Sequence, residues 1–266
     1  AFRLVVRWLW TSAMTSTNER LDDLLAELRQ APDGPMPKKK IAIISTPRCG
    51  SKYFCESLAS SGRFGRPLEW MNLNYIAAYP RQLGLKDVPL NQYFEFILAK
   101  TTSRNGVFAI NFHVDQYRYW REKNVDLLRF GFDKLYYVFR KDKLAQALSF
   151  AKAGRSGQWR STDTAIRDTS AAQIGNSEIL LALHNLSVHE DYYKAHLAKH
   201  VQHEYCYEDY TASDACFRDV LADNDIEHQD IKDFSCDVAI QRAGDDVRRI
   251  GDLMSYMGID GRQLRA

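Results

Sequence analysis

Ile41-Ala42-Ile43-Ile44 is a short, unbroken apolar run, followed at once by Ser45-Thr46-Pro47-Arg48-Cys49-Gly50-Ser51. A β-rich run of this length with no polar alternation reads as a strand buried on both faces, as in parallel sheets. Pro47 and Gly50 punctuate a polar loop, and Tyr53, Phe54, Ser57 and Leu58 then open a helix. Parallel strands are joined by crossovers rather than hairpins, so such a start demands further strand–helix units. The same strand–loop–helix order presents backbone N–H groups to one point, the arrangement that holds an anion.

The rest of the chain supplies those units. Val107 to Phe112 reads as a second strand. Leu135 to Phe139 reads as a third, stopping at Arg140-Lys141-Asp142 before a helix with Leu144, Ala147, Leu148 and Ala151 inside. Ile179 to His200 reads as a long helix and His203 to Tyr207 as a further strand, ahead of a C-terminal region of helix and loop. The expected fold is α/β, with a central, mostly parallel sheet flanked by helices in three layers. Upstream, Ser16-Thr17-Asn18 reads as a helix cap, and Leu21, Leu24, Leu25 and Leu28 form one apolar face. Pro32, Gly34, Pro35 and Pro37 end that helix. The expected organisation is an N-terminal helical extension and linker over residues 1–38 and one domain over residues 39–266.

Several function classes fall away on composition. The formal net charge of the 266 residues is only +2, which gives no case for nucleic acid as partner. The five cysteines are odd in number and include no CxxC pair, so neither a disulfide framework nor a structural zinc site is expected, and a reducing cytoplasm is. No apolar run reaches the ~18 residues of a spanning helix. Residues 1–10 are apolar with Arg3 and Arg7; they fit a helix docked on its own domain, or a basic amphipathic segment at a membrane surface such as the inner membrane.

The loop at residues 46–51 is not a nucleoside-triphosphate loop. That motif needs G-x-x-x-x-G-K-[ST], whereas this chain has Gly50-Ser51-Lys52 and no glycine at the start of the loop. Arg48 and Ser51 can instead donate to a sulfate or phosphate beside the loop amides. Phosphoryl-transfer enzymes with such loops place an aspartate at a neighbouring strand end to hold Mg²⁺, and here Arg140 stands there. An arginine repels a divalent cation and attracts a phosphate. An anion loop without a metal carboxylate points to sulfuryl rather than phosphoryl transfer.

These residues resemble a known family. Thr46-Pro47-Arg48-Cys49-Gly50-Ser51 is similar to the T-P-R-S-G-S donor loop of bacterial carbohydrate sulfotransferases of the trehalose sulfotransferase type, shared by the lipopolysaccharide and nodulation-factor sulfotransferases; Cys49 replaces a serine and Lys52 a common threonine. Gly65-Arg66-Pro67-Leu68-Glu69 matches the family's G-x-P-x-E segment. Arg140, Asp142, Gln146, Ala147 and Ser149 match R-x-D-x-x-x-Q-A-x-S, a block that continues to Trp159. Gln241-Arg242-Ala243 with Asp245 resembles a C-terminal R-Q-A-D segment in altered order. Asn111 stands where the family usually has a lysine.

The resemblance implies a P-loop-like sulfotransferase fold that takes its sulfuryl group from 3′-phosphoadenosine 5′-phosphosulfate (PAPS) and releases 3′,5′-bisphosphoadenosine, without a metal. It places the donor on Thr46, Pro47, Arg48, Cys49, Gly50, Ser51 and Lys52, and the donor's 3′-phosphate on Arg140, Ser149 and Arg242. It makes Glu69 the general base, with His113 as a competing base, and admits a small-molecule, carbohydrate or glycolipid hydroxyl acceptor and a homodimer. The aromatic residues Tyr75, Tyr79, Tyr93, Phe94, Phe96, Tyr117, Tyr119 and Trp120 fit either an acceptor site or a core. Two other classes remain open: a non-catalytic binding protein on the same scaffold, and a metal-dependent small-molecule kinase.

Overall fold

Strand β1 (Lys39–Ser45) lies between β2 (Val107–His113) and β3 (Lys134–Phe139), and β3 pairs in turn with β4 (His203–Cys206). All three pairings are parallel, in the order β2-β1-β3-β4. The expected α/β sheet is therefore present and wholly parallel. The computed structural model describes residues 14–159, 173–227, 231, 233, 234, 236 and 244–259.

The apolar run at 41–44 behaves as a doubly buried strand must. Ile41 and Ile43 enter one core with Phe54, Leu58, Phe217, Val220 and Leu221, while Ala42 and Ile44 enter another with Trp70, Tyr93, Phe108 and Tyr137. Alternate side chains thus feed opposite faces of the sheet. One face is covered by α2 (Ser51–Ser60), the short α8 (Tyr207–Tyr210) and α9 (Ala215–Asp223). The other is covered by α1 (Met14–Gln30), α3 (Leu73–Gln82), α4 (Leu90–Thr101) and α5 (Val114–Glu122).

Helix α1 starts at Met14, ahead of the expected cap at Ser16–Asn18. Leu21, Leu25 and Leu28 are buried in the same core as Trp70 and Phe108. The proline-rich stretch after it is fastened as well: the Gly34 N–H donates to the Ala99 carbonyl at 2.7 Å, and Lys100 donates to the Ala31 carbonyl at 2.6 Å. The aromatic segment resolves mostly as core, because Tyr75, Tyr79, Tyr93, Phe94 and Tyr117 are buried there.

The chain divides into two compact units. The sheet and the helices just named belong to the unit built from Thr15–Lys141 and His189–Asp237. The other contains α6 (Lys143–Ser156), the part of α7 (Asn176–His196) up to Val188, and α10 (Gly244–Tyr256). Its core is Ala147, Leu148, Ile174, Ile179, Ala182, Leu186 and Leu253. Lys152 pairs with Asp246 at 2.9 Å within it. Among the described residues no helix is long and apolar enough to cross a membrane.

Candidate active site

The order β2-β1-β3-β4 makes chain connections leave β1 and β3 in opposite directions. The crevice beyond the carboxyl ends of those two strands is where open α/β sheets bind ligands. Thr46 to Ser51 follows β1 at this point, and Arg140 follows β3.

The loop is tightly wound. The Cys49 N–H turns back to the Thr46 carbonyl at 3.4 Å. Arg48 (φ 62°) and Gly50 (φ 91°) both occupy the left-handed region. That conformation costs a non-glycine residue about 1–2 kcal/mol, and such residues cluster at binding sites. Gly50 is required twice over, by its φ and because a Cβ there would stand 2.2 Å from Tyr207 Cδ2. The Tyr210 hydroxyl donates to the Cys49 carbonyl at 3.1 Å, so α8 braces the loop from behind. Gly50 caps α2 without any side-chain hydrogen bond, leaving first-turn N–H groups for a ligand. Thr46 and Ser51 are buried beside it. Lys52 pairs along α2 with Glu56 at 3.2 Å.

Arg140 is buried, with its guanidinium 4.9 Å above the ring of Tyr207. Its Nε has no hydrogen bond and lies 3.9 Å from Glu208 Oε1. The other oxygen of Glu208 accepts the Lys141 N–H at 3.0 Å. One tyrosine therefore touches both the loop glycine and the strand-end arginine. Ser149 lies about two turns into α6, in the other unit. Arg242 falls outside the described residues.

The G-x-P-x-E segment has a physical reason for its glycine. Gly65 has φ 66°, and a Cβ there would sit 1.9 Å from the Thr101 carbonyl oxygen. The segment is pinned to β2 by the Asn111 N–H, which donates to the Leu68 carbonyl at 3.0 Å, and is closed on itself by the Trp70 indole, which donates to the Arg66 carbonyl at 2.9 Å. Glu69 so placed has its Oε1 3.7 Å from His113 Nε2. Its Oε2 accepts from Gln116 Nε2 at 2.8 Å and from Asn72 Nδ2 at 3.4 Å. Arg66 of the same segment pairs with Glu27 at 2.7 Å. The two competing bases are thus neighbours.

They also lie one strand from the loop, since His113 stands opposite Ser45 in the β1–β2 register. Burial pushes the Cys55 thiol on α2 well up, and the charge of Glu69 adds to that. Asn111 is buried and accepts from the Ser45 hydroxyl at 3.0 Å, a neutral cross-strand contact where the resembled family has a cation. Behind His113, burial pushes His189 down, opposed by the nearby Asp115. Tyr207, Tyr210, Glu208 and Gln116 were not legible as site residues in the sequence. Gln116 carried a faint signal, three residues past His113 at a helix start.

The family model described as Stf0 sulphotransferase matches residues 40–195, more than half of the chain. Among solved structures, a sulfotransferase from Alicyclobacillus acidocaldarius is similar over 87% of this chain and 100% of that chain, at 10% identity and a TM-score of 0.42. A search of curated proteins found no match. The Thr46–Ser51 loop, Glu69 and Arg140 all fall inside the matched span, and the chain belongs to the Stf0 sulphotransferase family.

Proposed function

We propose that the protein transfers a sulfuryl group from PAPS to a hydroxyl of a carbohydrate or glycolipid acceptor, without a metal. The observation that carries the donor half is the wound loop at residues 46–51, with Arg48 and Gly50 left-handed and α2 uncapped behind it, set one strand from the buried Arg140. These residues fit a bisphosphorylated nucleotide: a cradle that a Cβ would fill, and a buried guanidinium with an Nε lacking a hydrogen bond. When bound, the donor supplies an activated sulfuryl group on a phosphate leaving group. The acceptor class rests on the likeness of the G-x-P-x-E segment to that of carbohydrate sulfotransferases.

Glu69 takes the proton of the acceptor hydroxyl while the acceptor oxygen bonds to sulfur and the sulfur–phosphate oxygen bond breaks. Arg48 and the amides of residues 49–51 receive the negative charge that grows on the departing phosphate oxygen. Arg140 holds the 3′-phosphate, a role that the resemblance gives to Ser149 and Arg242 as well, and so fixes the nucleotide in line with the acceptor. Arg140 rather than an aspartate directly follows β3, which favours sulfuryl over metal-assisted phosphoryl transfer.

Calorimetry and an acceptor screen test this reading. 3′,5′-Bisphosphoadenosine should bind in the presence of a chelator, and ATP should bind far more weakly. Labelled PAPS with a panel of sugars and glycolipids, read by mass spectrometry, should give a product heavier by one sulfuryl group. Preference for ATP with strict Mg²⁺ dependence would instead make the protein a kinase. Tight bisphosphoadenosine binding with no turnover across the panel would favour a binding protein.

A further inference from the structure

Gln116 is buried at the third position of α5, one turn past His113. Its two amide atoms serve different partners. Oε1 accepts the His113 backbone N–H at 3.2 Å, which closes the helix start as a capping box does. Nε2 donates to Glu69 Oε2 at 2.8 Å. Asn72 Nδ2 approaches the same oxygen at 3.4 Å, whereas Glu69 Oε1 faces His113 at 3.7 Å. One oxygen of the carboxylate is held by amides and the other is turned toward the histidine.

The cap by itself does not call for a glutamine. A glutamate at this helix position offers the same acceptor to the same N–H. Only the second contact needs the amide, because a glutamate would set a second negative charge against Glu69. The residue type is therefore explained by what it does to Glu69. We infer that Gln116 is a positioning residue of the transfer reaction, one that fixes the orientation of the Glu69 carboxylate and, by donating to it, favours its charged form. This rests on the reading of Glu69 as the base. Among the described residues, His113 at the end of β2 lies 3.7 Å from Glu69, and Cys55 on α2 feels its charge.

Two variants separate this role from helix capping. Gln116→Glu keeps the cap acceptor and reverses only the contact with Glu69; Gln116→Met removes both. The Glu69 carboxyl is followed by ¹³C NMR titration, assigned by its loss in Glu69→Gln. Turnover is measured against pH with labelled PAPS and the acceptor selected in the screen above. Gln116→Glu should lower kcat about tenfold or more and move both the NMR midpoint and the acid limb of the rate profile up by about one pH unit or more. Its affinity for 3′,5′-bisphosphoadenosine should stay near wild type, and its unfolding midpoint should fall at neutral pH but return toward wild type below the raised Glu69 midpoint, where the added proton relieves the repulsion. Gln116→Met should move the limb less and lower the unfolding midpoint at every pH, whereas a purely structural residue would lower it in both variants without moving the limb. An unmoved NMR midpoint and limb in both variants, with Glu69→Gln inactive, overturns the positioning role and leaves Glu69 as the base. Near-normal turnover in Glu69→Gln overturns the base reading and the inference with it.

Discussion

Arg48 combines strain and charge in one residue, and the two can be separated. Its φ of 62° favours glycine, so Arg48→Gly should leave the unfolding midpoint unchanged or raise stability by about 1 kcal/mol. The same change removes the donor proposed for the leaving phosphate and should lower kcat about 10²–10³-fold. A variant more stable and less active marks a residue held in place for binding; a loss of stability would show that the guanidinium packs rather than binds. Arg48, Gly50, Glu69 and Arg140 could be read from the sequence because each sits at a fixed offset from a strand or within a short motif. Tyr207 and Glu208 could not. They lie far along the chain, in a four-residue helix whose composition is ordinary, and only the sheet order brings them to the loop.

At the level of elements, the loop and α2 depend on one backbone position. Gly50→Ala meets both a φ of 91° and a ring atom 2.2 Å from the new Cβ. It should cost stability by about 1–3 kcal/mol and weaken 3′,5′-bisphosphoadenosine binding, measured by denaturant melts and calorimetry. Helix α1 gives a second test. Leu25 is fully buried in the core that it shares with Trp70 and Phe108, so Leu25→Ala should cost about 2–5 kcal/mol in urea unfolding. A cost below ~0.5 kcal/mol would mean that α1 is an appendage to the domain. The strands were legible because unbroken β-rich runs admit few other readings. Helices α3 to α5 were not, because their buried aromatics serve a core and an acceptor site equally well on paper, and Pro80 interrupts the pattern inside α3.

For the whole molecule, the acid side of the stability curve should carry the mark of His189. Burial holds this imidazole below its ordinary value of 6.5, although Asp115 pulls the other way. The folded protein therefore resists a proton that the unfolded chain takes up. His189 makes no contribution to the pH dependence of stability well above pH 6.5, and stability falls as pH drops through that value toward the lower folded one. His189→Gln should lose less stability than wild type between about pH 7 and pH 5.5, with the two curves parallel above pH 7. Equal losses on acidification would place the proton uptake elsewhere.

The ring of Tyr207 sits against Gly50 and beneath Arg140, so the two elements proposed to hold phosphate, about ninety residues apart in the chain, lean on a third that comes later still. This sets an order of events during synthesis. The loop and the strand-end arginine emerge first and stay unbraced until β4 has paired with β3 and carried α8 into place. Nucleotide binding should therefore appear late and all at once in refolding, as a signal that the last strand of the sheet has docked.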